Sequence, residues 1–218
     1  MKTAPPLAEI SGFREAIAKI FEGPPGEKPS GECVYLSWCE SPLGPLVTGA
    51  SRDGICFLEF SDPARLAAQW QALQKRLQST VIPGENQWTQ QLHLELRQYF
   101  AGELRGFTVP VPYAGSPFQE RVWSQLLKVP YGETCNYEAV ARAIGSPGAV
   151  RAVGRANGEN RIAIVIPCHR VVNKNGELGG YGGGVWRKKF LLKLEQDVQP
   201  RTQENMHAQP LLILAARI

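Results

Sequence analysis

The sequence predicts an α/β chain in two parts, and three observations carry that expectation. Three short strand-like runs, at 33–38, 45–50 and 55–60, are separated by the turn-forming Ser41-Pro-Leu-Gly44 and Arg52-Asp-Gly54. Two stretches with 3.6-residue apolar spacing follow, at about 63–78 and 88–100. Farther on, two helical stretches meet at Gly145 with almost no linker, which is the pattern of a helix-turn-helix. A small three-stranded antiparallel sheet with covering helices is therefore expected first, and a mostly helical unit second.

The bulk properties narrow the class. At 218 residues with 43% hydrophobic content, the chain can bury one large core or two small ones. The start lacks a basic segment followed by an apolar one, and no apolar run approaches the ~20 residues of a membrane span, so a cytoplasmic protein is expected. Five cysteines without regular spacing argue against a disulfide framework. Cys33 and Cys39 are not a CxxC pair and Cys56 stands in an apolar run, so no metal is expected there. The net charge is +4, but 118–195 holds twelve Lys and Arg against six Glu, a local +6 that fits a polyanionic partner.

In order, residues 7–26 read as an amphipathic helix with Phe13, Ile17, Ile20 and Phe21 on one side, ended by Gly23-Pro-Pro-Gly26. Asp53-Gly54 marks a hairpin turn in the strand region. Leu66, Trp70, Leu73 and Leu77 on one helix, and Leu92, Leu96, Tyr99 and Phe100 on the next, are placed to cover the sheet; His93 reads as a surface residue. Residues 102–115, with Pro110 and Pro112, read as an edge strand running into a linker. Ser116-Pro117 then starts a helix bearing Phe118, Val122 and Leu126 on one face. The expected units are thus 1–30, 31–115, 116–196 and a tail, 197–218.

Asn136 is placed to cap a helix over 137–144, Gly145 to end it, and Ser146-Pro147 to start a second over 147–157. On that second helix Val150, Val153 and Asn157 share one side, and Arg151 and Arg155 the other. Gly148, Ala149, Ala152 and Gly154 add no bulk, which suits close approach to a nucleic-acid groove; a solvated basic face is the plainer alternative.

The stretch 161–172 is where chemistry is expected. Ile162, Ile164, Val165 and Ile166 form a β-branched run of the kind buried as a strand, and Val171-Val172 resumes it. Pro167 ends the pairing, so Cys168 leaves at a turn. Neighbours on an extended strand face opposite ways, so Cys168 and His169 communicate only if the backbone turns or a water bridges them. A thiol at its ordinary pKa of about 8.5 is a weak nucleophile without such help. Without other context, a buried structural cysteine beside a satisfied histidine is the alternative.

Context comes from the hexapeptide Pro167-Cys168-His169-Arg170-Val171-Val172, which resembles the active-site motif of the O6-alkylguanine-DNA alkyltransferases, or methylated-DNA–protein-cysteine methyltransferases. The resemblance continues through Tyr131-Gly-Glu-Thr-Cys-Asn-Tyr137 and Arg151-Ala-Val-Gly154 to Glu195, and is nearest to the C-terminal part of bacterial adaptive-response (Ada-type) proteins. In that light 11–26 is similar to the last helix of the AraC-type domain preceding those enzymes; a single helix cannot make a helix-turn-helix, so no transcription-factor activity is expected from it.

The resemblance implies a ribonuclease H-like first domain of structural role and a winged-helix-like second domain carrying the helix-turn-helix. It implies repair of O6-alkylguanine in duplex DNA, with O4-alkylthymine a candidate second substrate, by a single irreversible transfer to Cys168, without cofactor and by a monomer. A Glu195, His169, water, Cys168 relay follows, with Asn160 joining the recognition helix to the active-site loop. Arg151 matches the arginine that fills the stack after base flipping, and Tyr137 the tyrosine that crowds the target phosphate. Ala149, Ala152, Gly154 and Arg155 fall on the DNA face. Tyr137, Tyr181, the carbonyls of Cys168 and Val171 and the amide of Gly182 surround the flipped base. Arg161 and Ala163 replace frequent prolines, and Gly182 stands where some members have serine. Two other classes use the same residues: a Cys-His-Glu hydrolase, which must turn over, and a non-reactive damage-binding protein, which has no need of the cysteine.

Overall fold

A computed structural model describes residues 33–77 and 79–197. The expected helix at 7–26 and the tail after 197 lie outside the described residues. Among the described residues no helix is long and apolar enough to cross a membrane.

The first half is a sheet between two helices. Strands β1 (Cys33–Cys39), β2 (Leu46–Ser51) and β3 (Gly54–Phe60) pair antiparallel, as their alternation and turns require. Gly54 has φ 146°, the left-handed side that the Asp-Gly turn calls for. Helix α1 (Pro63–Leu77) lays Leu66, Trp70 and Leu73 on Val34, Leu36, Val47 and Phe57. Helix α2 (Gln87–Phe100) lays Leu92, Leu96 and Tyr99 on the opposite face, against Leu46, Ile55, Leu58 and Phe60. Asn86 caps α2 through a reciprocal box with Thr89.

The sheet has one strand more than the sequence suggested. Strand β4 (Thr80–Pro83) joins the far side of β1 in parallel, giving the order β3-β2-β1-β4. Four half-exposed residues ending in proline carry too little alternation to announce a strand. Conversely, 102–115 is no strand. Pro110 and Pro112 have no N–H for a ladder, and contact with β3 comes down to the Pro110 carbonyl, which accepts from Ile55 N at 2.8 Å. His93 is also not a surface residue: it is buried, with Nε2 3.0 Å from Thr48 Oγ1 and Nδ1 3.1 Å from Glu85.

The second half is mostly helical. Helix α3 (Pro117–Leu126) starts from a Ser116 capping box with proline at its first turn. After β5 (Cys135–Asn136), helix α4 (Tyr137–Ala143) is capped by Asn136 Oδ1, which accepts from Ala139 N at 2.9 Å. Gly145 ends the helix at φ 71°. Helix α5 (Val150–Gly158) begins three residues later than expected, because 146–149 close as a turn in which Ala149 N donates to the Ser146 carbonyl. Strand β6 (Val171–Val172) pairs in parallel with β5, and α6 (Val185–Asp197) is the last element among the described residues. Val122, Leu126, Val153 and Leu191 join the same apolar cluster as α2 and β3, so one core runs through both halves.

The run 162–166 is buried but is not a strand. One parallel bridge, Leu58 to Ile162, docks it on β3, after which the chain coils through consecutive turns. Its polar backbone is paired locally: Ala163 N donates to the Leu58 carbonyl at 2.8 Å and Ile166 N to the Ile162 carbonyl at 3.0 Å. Ile164 takes φ 70°, a left-handed conformation that a β-branched residue adopts only where the surroundings force it.

Candidate active site

The coil ends in a 3-10 turn, Cys168–Arg170, and this turn answers the geometric problem of adjacent Cys and His. Both side chains are buried, His169 completely. Among the described residues no hydrogen bond joins Cys168 directly to His169. Cys168 Sγ instead accepts from Asn160 Nδ2 at 3.1 Å. Asn160 also accepts from Ile162 N at 2.9 Å and donates to the Ile166 carbonyl at 2.9 Å, so one side chain shapes the whole coil around the sulfur.

The Asn160 side chain does not join recognition helix to active-site loop as expected, because its bonds all fall within the loop. Asn157, three residues earlier on the buried face of α5, supplies that tie by donating to the Cys168 carbonyl at 3.4 Å. The expected pair of free base-binding carbonyls is likewise already engaged on one side. The Cys168 carbonyl also takes the Val171 N–H, and the Val171 carbonyl accepts from buried Lys188 Nζ at 2.5 Å.

Behind the histidine lies a saturated carboxylate. Glu195 Oε1 is 2.8 Å from His169 Nε2, 2.6 Å from the Tyr99 hydroxyl and 3.0 Å from an Arg170 terminal nitrogen. Oε2 accepts from Arg170 Nε at 2.9 Å and Gly132 N at 3.1 Å. Burial pushes the carboxyl up, but the His169 and Arg170 contacts outweigh it and hold Glu195 at about 2. An ionised carboxylate can only accept, so His169 carries its proton on Nε2. Its Nδ1 is then a bare lone pair, buried and without a hydrogen-bond partner among the described residues. Burial lowers the His169 pKa, Glu195 opposing, and raises that of Cys168, with the Asn160 hydrogen bond opposing. At neutral pH the site therefore holds a protonated thiol and a neutral imidazole.

Tyr181 and Tyr137 border the sulfur from other segments. Tyr181 Oη is buried and unpartnered, with its ring edge-on to Phe60 at 6.2 Å between centroids. The Tyr137 ring, at the start of α4, lies between Gly154 of α5 and Gly179 of the glycine-rich loop. A Cβ at Gly154 would lie 3.8 Å from the ring, and one at Gly179 3.1 Å from its hydroxyl. Outside, Arg151, Ala152 and Arg155 are exposed on α5, Ala149 and Gly154 are half-buried, and Gly182 is exposed on its loop. Arg155 pairs along the helix with Glu159 at 2.9 Å.

Several groups at the site escaped the sequence reading. Arg170 lies inside the hexapeptide and Lys188 on the last helix, but nothing in their spacing says that they are buried. Tyr99 was assigned only to packing. Glu59, with Arg65 beside it at 2.8 Å, had a usable signal: a carboxylate interrupts the apolar run 55–60 just as Cys168 and His169 interrupt theirs.

This fold and site define a class: a two-part α/β protein with a buried cysteine and a carboxylate-held histidine set behind a basic helix-turn-helix. Residues 34–113 match the 6-O-methylguanine DNA methyltransferase ribonuclease-like domain, and 117–197 match the DNA binding domain of the same family. A methylated-DNA–protein-cysteine methyltransferase of Mycobacterium tuberculosis is 47% identical over 173 residues, covering 77% of this chain and 95% of that protein. The constitutive enzyme of Bacillus subtilis is 40% identical over 163 residues, covering 74% and 95%. The crystal structure of Mycobacterium tuberculosis OGT in complex with DNA superposes with TM-score 0.63 at 41% identity, covering 78% of this chain and 96% of that one. The chain belongs to the methylated-DNA–protein-cysteine methyltransferase family, whose members repair DNA by transferring an alkyl group to a protein cysteine.

Proposed function

We propose that Cys168 is the acceptor cysteine and that the substrate is O6-alkylguanine in duplex DNA, bound through the minor groove and everted from the stack. The observation that carries this reading is the bare Nδ1 of His169, fixed by Glu195 next to a protonated thiol. His169 takes the thiol proton through a bridging water, and the thiolate attacks the alkyl carbon. The S–C bond forms as the C–O6 bond breaks, and the electron pair leaves on the guanine oxygen. Guanine regains its ring proton, so one thiol hydrogen is exchanged for one alkyl group. A thioether offers nothing to hydrolyse, and the protein is consumed.

Eversion is needed because the O6 atom of a stacked guanine cannot reach a buried thiol; unstacking costs a few kcal/mol. The exposed Arg151 fills the gap, with Ala149, Ala152 and Gly154 allowing close approach and Arg155 near the phosphates. Tyr137, Tyr181, Val171 and Gly182 surround the base, and Asn160 supports the thiolate. We assign 31–115 as the structural unit and 116–196 as the DNA-binding and reacting unit of a cytoplasmic monomer.

Incubation with duplex DNA containing O6-methylguanine should add the mass of one methyl group to the Cys168 peptide, saturating at one per chain. Repeated turnover on an ester or peptide with an unmodified Cys168 would instead make the protein a hydrolase. Binding without any modification would make it a damage sensor.

A further inference from the structure

The glycine-rich loop over the sulfur is met by a side chain from the first half. Arg65, in the first turn of α1, reaches across the boundary to three segments at once. Its terminal nitrogens lie 3.4 Å from the carbonyls of Gly158 and Asn160, where α5 gives way to the reactive coil. Its guanidinium also lies directly over Gly182, so that a Cβ at that residue would fall on the guanidinium itself. At its inner side, Arg65 Nε lies 2.8 Å from Glu59 Oε2. Glu59 is completely buried on β3 and locked by Phe60 N, which donates to Oε1 at 3.0 Å. Burial pushes the Glu59 pKa up to about 7, with Arg65 opposing, so the ion pair holds the guanidinium when the carboxyl is ionised.

Asn160 donates to Sγ, Arg65 and Tyr181 are near enough to interact electrostatically with it, and the Gly182-Gly183 turn lies under the guanidinium and packs on Phe60 and Tyr181. A Cβ on Gly183 would lie 2.5 Å from the Phe60 ring, so this turn has no slack. Among the groups gathered here Arg65 is the long, flexible one. Both charges also bear on the sulfur, Glu59 raising and Arg65 lowering the Cys168 pKa beneath the larger effect of burial.

We propose that Arg65, anchored by Glu59, is a specificity-determining wall of the alkyl pocket, restricting the reaction to small O6-alkyl groups. This rests on the alkyl-transfer reading above. An alkyl carbon in line with Sγ extends into the space that the guanidinium bounds. A methyl group fits under it, whereas a benzyl group requires it to leave its carboxylate. Discrimination by a pocket wall is typically roughly 10- to 200-fold per methylene-sized change.

The test compares single-turnover rates of the full chain on two duplexes, one with O6-methylguanine and one with O6-benzylguanine. Arg65→Ala should raise the benzyl-to-methyl rate ratio at least about tenfold, within that range. Glu59→Gln, which loosens the anchor without removing the wall, should move the ratio in the same direction by less. If Arg65→Ala does not fold because it strands a buried carboxyl, the Glu59→Gln, Arg65→Ala pair carries the same test, with thermal melting as the check. A ratio unchanged within twofold in the folded variant overturns the assignment of Arg65 while wild-type methylation of Cys168 keeps the function. Wild-type protein that accepts neither alkyl group overturns both.

Discussion

The Tyr99 hydroxyl donates to Glu195 Oε1 at 2.6 Å, so a helix of the first half completes the anion site of the second. A hydrogen bond to a charged group contributes about 1.5 to 3 kcal/mol. Tyr99→Phe keeps the ring packing and removes this donor. It should destabilise the protein by that amount in urea unfolding and slow alkyl transfer less than changes at His169. Unaltered stability would show that the carboxylate does not need its fifth donor.

The relay makes a larger demand. General-base assistance is worth about 10² to 10⁴ in rate, so His169→Ala should slow single-turnover transfer by that range while DNA affinity stays nearly constant. Glu195→Gln should also slow transfer, and shift the pH dependence of thiolate formation upward. Because burial lowers the His169 pKa below its ordinary 6.5, the wild-type rate should hold at pH 6.5 and fall only at lower pH. A loss of only a few-fold in His169→Ala would assign thiol activation to the basic surroundings instead.

Acid stability reports on the same carboxylate. Glu195 titrates at about 2 in the folded protein against an ordinary 4.5. A depressed pKa stabilises fully above the unfolded value, and the contribution disappears as pH falls from 4.5 towards 2. By linkage this shift corresponds to about 3 kcal/mol. Unfolding free energy measured across that window should drop accordingly, and Glu195→Gln should flatten this part of the curve. At pH 7 the same variant should be less stable than wild type, because Arg170 is left buried with a weaker partner.

Arg151 and Arg155 share a helix face but should separate by assay. Arg151→Ala should slow repair of duplex DNA far more than reaction with the free O6-methylguanine base, which needs no eversion. Equal losses on both substrates would remove Arg151 from the stack-filling role. Arg155→Ala should weaken DNA binding broadly and reduce its salt dependence, as removal of a phosphate contact does.

The fold was largely legible because its long elements repeat a local signal. Alternation and Asp53-Gly54 located the first three strands, apolar spacing located α1 and α2, and capping residues located α3 and α4. Strand β4 was missed because its partner, β1, lies more than forty residues upstream and only a long-range pairing makes it a strand. The run 162–166 misled for a related reason: β-branched composition reports burial, and tertiary packing turned a buried segment into a coil with Ile164 at positive φ. At the site, the hexapeptide and Glu195 were visible through resemblance. Asn157 makes the tie expected of Asn160, since a side chain's partner depends on the path of the following loop, which no local pattern encodes.

Strand β3 is the edge of its sheet, and the reactive coil seals part of that edge. Leu58 N donates to the Arg161 carbonyl and Ala163 N to the Leu58 carbonyl, both at 2.8 Å. Cover and reagent are therefore one segment. Alkylation of Cys168, only 5% exposed, inserts bulk beneath that cover. A displaced coil would bare unpaired amides and carbonyls, the template on which a second chain can add its own strand. The spent protein should thus self-associate on warming sooner than the fresh one, which light scattering at matched concentrations would register; identical onset temperatures would show that the seal survives the reaction.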